Sequence, residues 1–159
     1  MGTYLWARRY QDDSDSSLHL PKKVFALALT ADEKGLVAAG EVHGGSPYDK
    51  YVFIHWLSTT NGAQIYKALH VETSFKWNIY SSQMLSFGCQ GYIYLLLDDE
   101  WSKGDATKDT TLIVVEQSGT SLLLKKQYEL NGRYTSMVYN SASGGNVVLG
   151  GGVAESQDT

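Results

Sequence analysis

Asp98-Asp99-Glu100 sets three carboxyl groups side by side, the raw material for acid–base chemistry, in which one carboxyl is held protonated beside a charged neighbour. At a strand-to-loop transition such a cluster more often forms a polar rim. Asp12-Asp13-Ser14-Asp15 offers hard oxygen donors of the kind calcium takes, but the glycine and distal glutamate of a liganding loop are missing, so a solvated acidic loop is expected. His19, His43, His55 and His70 fall on different segments, with no spacing that would gather a ligand set. In Val52-Phe53-Ile54-His55-Trp56 the histidine faces opposite to Ile54 and Trp56 and reads as a residue satisfied at a sheet surface. Cys89 sits in Gly88-Cys89-Gln90-Gly91 without an adjacent base to lower its pKa, and no Gly-x-Ser-x-Gly occurs. Gly150-Gly151-Gly152 follows a strand but lacks the Lys-Ser/Thr and the helix that cradle phosphate. No acid, base and nucleophile converge. The expectation is therefore a non-enzyme with no catalytic residue, no cofactor-binding residue and no metal site.

Aromatic side chains are the remaining resource: eleven tyrosines, four tryptophans and four phenylalanines. They serve cores most often, and sugar stacking or protein interfaces next. The chain has 159 residues, 43% hydrophobic and 19% charged, the size and balance of one folded domain. Thirteen Lys and Arg against seventeen Asp and Glu give a net charge of −4, which leaves no basic field for a phosphate backbone, so nucleic acid is not an expected partner. One cysteine forms no internal disulfide. Met1–Tyr10 has two arginines and then runs into Asp12, Asp13 and Asp15, the pattern of neither a signal peptide nor a transit peptide. Trp6 stands where a myristoylation signal needs Ser or Thr. Apolar runs such as Tyr92–Leu97 fall far short of the roughly 20 residues of a membrane span. An intracellular or organellar location without a membrane span is expected.

The elements that position these residues are strands. Short runs rich in Val, Ile, Tyr and Leu are broken by Gly, Asn and Ser at intervals of roughly 8 to 12 residues, the all-β rhythm. Strands are expected over Tyr4–Tyr10, Val24–Thr30, Leu36–Val42, Tyr51–Ser58, Ala63–Val71, Ile79–Phe87, Tyr92–Asp98, Thr111–Gln117, Thr120–Tyr128, Tyr134–Asn140 and Asn146–Gly150. The links Ala31–Gly35, Thr59–Gly62, Gly88–Gly91, Ser118–Gly119 and Ser141–Gly145 are short and carry the Gly or Asn that supplies positive φ in tight hairpins. They therefore join antiparallel neighbours. His43–Lys50 and Asp99–Thr110 are longer, polar and read as surface loops.

The spacing repeats. Gly35, Gly91 and Gly145 lie 56 and 54 residues apart, and each opens a similar apolar run. Gly2-Thr3-Tyr4, Gly62-Ala63-Gln64 and Gly119-Thr120-Ser121 lie 60 and 57 apart and open the last strand of each unit. Periods of this size mark stacked supersecondary units. Val24–Leu29, Tyr92–Leu97 and Leu112–Val115 are apolar on both faces, so each sheet needs a layer on either side. In a helix-free chain those layers are neighbouring sheets.

The run Leu5-Trp6-Ala7-Arg8-Arg9-Tyr10, then Phe25-Ala26-Leu27-Ala28, Gly35-Leu36-Val37-Ala38-Ala39-Gly40, Tyr48-Asp49-Lys50-Tyr51-Val52-Phe53 and Asn61-Gly62, resembles the β-propeller repeat family with a W-x-x-x-Y … D-G-x-h-x-h-x-G … Y-D-x-h-h rhythm, where h is apolar. The resemblance covers most of the chain. The second unit departs from it, with Asp98 in place of the closing glycine and no Tyr-Asp pair before Thr111. The family is largely non-catalytic and often forms part of larger proteins, so the likeness implies a fold more than a function.

The fold class expected is all-β: antiparallel four-stranded blades in an incomplete, open propeller-like array. Residues 1–20 would form a stray outer strand and loop, 21–75 the first blade, 76–131 the second and 132–159 a half blade. A closed propeller needs at least four blades, so the terminal blades would present bare faces and edges. The function expected is a scaffold or accessory subunit that docks through them onto other subunits or copies of itself. Tyr4, Trp6, Tyr48, Trp101, Val147 and Leu149 are the candidate partner contacts. A lectin-like module for carbohydrate or another small ligand, using Trp101 and Tyr48, and a fragment of a longer propeller protein are the alternatives.

Overall fold

The computed structural model describes residues 7, 20–30, 32–43, 50–72, 79–87, 91–99, 110–140, 142 and 145–152. Ten strands form there, and no α-helix: β1 Leu20–Leu29, β2 Gly35–His43, β3 Lys50–Ser58, β4 Gln64–Glu72, β5 Ile79–Phe87, β6 Tyr92–Asp99, β7 Thr110–Ser118, β8 Ser121–Leu130, β9 Arg133–Asn140 and β10 Asn146–Gly152. Each falls on a run read as a strand from its alternation and turn residues. β1 starts earlier than expected, at Leu20, with register shifts at Pro21/Lys23 and Val24/Ala26, where a proline is accommodated because a bulge relaxes the ladder. The expected strand Tyr4–Tyr10 falls outside the described residues but for Ala7, which is exposed and in no strand.

β1 to β4 form one antiparallel meander and β5 to β8 another, and a single parallel bridge, Lys67 to Ser121, joins them at β4 and β8. β1 lies against β5 at the other margin. The two meanders thus face each other across a core of Val37, Ala39, Val52, Ile54, Trp56 and Val71 on one side and Ile93, Leu95, Leu97, Ile113, Val115 and Leu122 on the other. The β9–β10 hairpin packs on the opposite face of the second meander, over Leu96, Leu112 and Val114.

The central strands of the middle layer, β6 and β7, are apolar on both faces for this reason. In β6 the consecutive residues Leu95, Leu96 and Leu97 have exposures of 0%, 1% and 0%. Since successive strand side chains point to opposite faces, such a run is buried only when a layer lies on each side. Ile113, Val114 and Val115 of β7 repeat the pattern.

The turns use glycine in two ways. Gly91 and Gly145 have φ of 77° and 90° and carry the chain through the left-handed region, as their place in the hairpins predicts. Gly35 does not. In its turn Glu33 takes the positive φ, 57°, and Gly35 is small because a Cβ there would run into the Trp56 indole nitrogen and the Thr30 methyl. Thr30 closes this turn. Its hydroxyl donates to the Asp32 carboxylate, which also accepts the Lys34 backbone N–H at 3.1 Å, and the hydroxyl accepts the Gly35 N–H at 2.8 Å. The Thr59 hydroxyl donates to the Glu33 carbonyl at 2.9 Å and ties the β1–β2 turn to the β3–β4 turn.

Two outcomes are expected. Leu95→Ala and Leu96→Ala empty opposite faces of one layer and should each cost about 2–5 kcal/mol in urea unfolding with an unchanged m value, whereas a one-sided sheet would tolerate one of them. Asp32 is held below its ordinary value of 3.8, first by the Thr30 hydroxyl and then by the Lys34 N–H. A folded-state pKa below the unfolded one stabilises above the unfolded value and loses its effect as pH falls through the folded value. Wild type should therefore melt above Asp32→Asn near neutral pH, the gap closing on the acid side; a gap constant with pH would contradict the ionised turn.

Candidate interaction surface

The end of the sheet stack is built from β9 and β10, and its placement begins with Thr110 at the start of β7. Thr110 is fully buried. Its backbone N–H donates to the Gly132 carbonyl at 3.2 Å, its hydroxyl donates to the same carbonyl at 3.1 Å, and the hydroxyl oxygen accepts the Tyr134 N–H at 2.9 Å. Asn131-Gly132, with Gly132 at φ 101°, turns the chain sharply between β8 and β9, and Thr110 clamps that turn to the second meander. The clamp matters because a buried backbone group left without a partner costs about 1–3 kcal/mol.

From the clamp, alternation, shifted once at the irregularity between Tyr134 and Ser136, decides which side chains go in. Met137 is buried, and Tyr134, Val147 and Leu149 pack partly buried around Leu96, Leu112 and Val114. The Tyr139 ring stacks on Tyr94 at 5.9 Å between centroids and 25° between planes, an offset aromatic contact that adds to area burial. Gly145 leaves room for the Tyr139 hydroxyl, which a Cβ would approach to 2.6 Å.

The opposite parity forms the outer face. Ser136 stands across from Gly150, Val138 from Val148 and Asn140 from Asn146. Val138 is 63% exposed and Val148 55%, an apolar cross-strand pair set between polar pairs. At the other end of the stack β1 turns Val24, Leu27 and Leu29 outward, all more than half exposed, while Ala26 enters the core. Among the described residues, β1 and the β9–β10 hairpin therefore carry exposed apolar side chains on their outward faces, whereas Ala38, Phe53, His55 and Leu57 on the same outward face of β2 and β3 are buried.

A third apolar strip lies on β8. Leu122 enters the core between the meanders, but Leu123 and Tyr128, whose register partners on β7 are Glu116 and Leu112, stay 49% and 40% exposed on the side where the hairpin packs. Lys126 sits over the Tyr128 ring at 4.7 Å. Lys125 pairs with Glu116 at 2.9 Å, and the Tyr92 hydroxyl donates to the same carboxylate at 3.1 Å. Lys125 first, then Tyr92, hold the Glu116 carboxyl below its ordinary range.

Of the contacts expected from sequence, Val147 and Leu149 belong to the hairpin but point inward, onto the second meander. The outward pair, Val138 and Val148, was masked in the sequence by the unbroken run Val147-Val148-Leu149, whose parity no polar residue reveals. Tyr4, Trp6, Tyr48 and Trp101 lie outside the described residues, as do Cys89 and Glu100. His55 is placed on the face opposite Ile54 and Trp56 as its alternation implied, but buried at 6%, with its ring edge-on to Phe53 at 5.1 Å. Among the described residues no three His, Cys, Asp or Glu side chains gather where a metal could bind, and no helix is long and apolar enough to cross a membrane. No known family, curated protein or solved structure matches this chain.

Thr110→Val keeps the volume and the backbone bond to Gly132 but removes both hydroxyl bonds of the clamp. It should cost about 1–3 kcal/mol, and hydrogen exchange should speed up in β9 and β10 more than in β2 and β3. Uniform acceleration across all strands would show that the clamp does not hold the hairpin in particular.

Proposed function

We propose that the chain is a non-catalytic interaction module, a scaffold or accessory subunit in which stacked antiparallel sheets form a propeller-like array and the terminal layers dock onto other protein subunits or further copies of the chain. The observation that carries this reading is the directly opposed Val138 and Val148 pair, 63% and 55% exposed on the outward face of a hairpin whose inward face is packed. Exposed single apolar residues are ordinary on any surface, but a directly opposed apolar pair on the outward face of a packed hairpin has the character of an interface. Val24, Leu27 and Leu29 supply a second exposed apolar strip, on β1, beside the buried Ala38, Phe53, His55 and Leu57 of β2 and β3.

The propeller-like reading draws its support from the internal order. Two meanders follow one another with first strand against first strand and last strand against last, and a third unit begins with the same hairpin on the next face. Radial repetition arranges sheets in this way. The carboxylates with clear partners are engaged in structure: Asp32 closes a turn and Glu116 holds Lys125 and Tyr92.

Sedimentation velocity and native mass spectrometry test the proposal. The chain should assemble, with itself or in fixed stoichiometry with subunits from its source, and Val138→Lys/Val148→Lys or Leu27→Lys/Leu29→Lys should lower that association at least tenfold while leaving the circular dichroism spectrum unchanged. A monomer at all concentrations that also brings down no stoichiometric partner would refute the docking role.

A further inference from the structure

Two Asn-Gly dipeptides lie in turns, Asn61-Gly62 between β3 and β4 and Asn131-Gly132 between β8 and β9. The pairing has a chemical consequence, because glycine has no Cβ to keep its backbone nitrogen away from the carboxamide of the preceding asparagine. Of the five asparagines only these two precede glycine. Asn78 and Asn146 precede the β-branched Ile79 and Val147, and Asn140 precedes Ser141. The local sequence thus leaves Asn61 and Asn131 alike in being able to cyclise onto the chain. Solvent exposure does not separate them either, since both asparagines are exposed and both glycines buried.

Hydrogen bonding does separate them. At the β3–β4 turn both reacting groups are engaged: the Gly62 N–H donates to the Ser58 carbonyl at 2.8 Å, and the Asn61 carboxamide oxygen accepts the Ala63 N–H at 2.9 Å. Cyclisation there must first break both bonds, and a buried amide that loses its partner is penalised. At the β8–β9 turn, among the described residues, the Asn131 carboxamide has no hydrogen-bond partner and the Gly132 N–H donates to none. Thr110 holds the far side of Gly132, its carbonyl, and leaves the nitrogen of the Asn131-Gly132 peptide unengaged.

We propose that Asn131 is a site of spontaneous covalent modification, deamidation through a cyclic imide, and that the hydrogen bonds of the β3–β4 turn withhold Asn61 from the same reaction. Hydroxide takes the Gly132 N–H proton, the nitrogen bonds to the side-chain carbonyl carbon of Asn131, and the carboxamide nitrogen leaves as ammonia after taking up a proton from water. A water molecule then opens the imide at one carbonyl or the other, giving aspartate or isoaspartate. Either product replaces a neutral side chain by a carboxylate at neutral pH. Isoaspartate also routes the backbone through the former side chain and lengthens it by one carbon. The extra carbon enters next to Gly132, whose carbonyl Thr110 holds, and just ahead of Tyr134, whose N–H the same hydroxyl accepts. Conversion to isoaspartate therefore loosens the clamp, and with it the β9–β10 hairpin.

The whole chain, incubated in mildly alkaline buffer, provides the test, with peptide mapping by mass spectrometry and isoaspartate labelled by an isoaspartyl methyltransferase. In the folded chain Asn131 should convert at least tenfold faster than Asn61. In urea, where both turns are lost, the two rates should agree within roughly twofold, because only hydrogen bonds of the folded state distinguish the sites. The purified isoaspartate form should exchange the amide hydrogens of β9 and β10 at least tenfold faster than the untreated chain, with β2 and β3 unchanged. Freshly prepared Asn131→Asp, which adds the charge without the extra carbon, should keep the protection of β9 and β10. The proposal is overturned if Asn61 converts as fast as Asn131 in the folded chain or if Asn131 converts only in urea. It is overturned equally if isoaspartate at 131 leaves β9 and β10 as protected as before, or if Asn131→Asp loses that protection to the same extent.

Discussion

A strand pair with no polar face is the constraint from which the arrangement follows. β6 and β7 bury Leu95, Leu96 and Leu97 and Ile113, Val114 and Val115 without alternation. A sheet solvated on either side could not carry both sets of side chains, because every buried aliphatic group is worth about 1.5–3 kcal/mol that exposure forfeits. A layer must therefore lie on each face, and in a helix-free region the layers are other sheets. The first meander supplies one and the β9–β10 hairpin the other.

The layers differ in how they are held. Between the meanders, a broad apolar interface runs from Val37 to Val71 on one side and from Ile93 to Leu122 on the other. The hairpin covers less ground and is fixed by directional contacts as well: the Thr110 clamp on Gly132 and Tyr134 and the Tyr94–Tyr139 stack. Hydrophobic area has no preferred orientation, whereas hydrogen bonds and ring stacking do. A two-stranded hairpin is marginal by itself, so its order comes from the sheet beneath it.

Among the described residues the charged side chains of the second meander lie at its margin, whereas Glu41 of the first is buried. Glu116 gathers Lys125 and the Tyr92 hydroxyl at the outer margin of the second meander, with Lys126 over Tyr128 beside it. An ion pair this exposed adds little to stability, but it places charged side chains along an outer strand. Charges there discourage indiscriminate edge pairing. Among the described residues the large apolar side chains that remain uncovered lie on β1, β4, β8 and the outward face of the β9–β10 hairpin.

The sequence by itself determined the strands, their antiparallel order and the need for layers on both faces. Gly91 and Gly145 marked their turns through a backbone requirement that is local, and runs such as Leu95-Leu96-Leu97 announced two-sided burial by having no polar position. What it left open concerned parity and neighbours. Val147, Val148 and Leu149 are all apolar, so nothing in the run says which one faces out; the register against Met137, Val138 and Tyr139 decides it. Gly35 likewise reads as a turn residue, yet its smallness answers to Trp56, 21 positions away by subtraction of the residue numbers. Contacts between residues far apart in the chain depend on how whole sheets stack, and local propensity carries no record of that; only the tertiary structure assigns each side of a strand to core, partner or water.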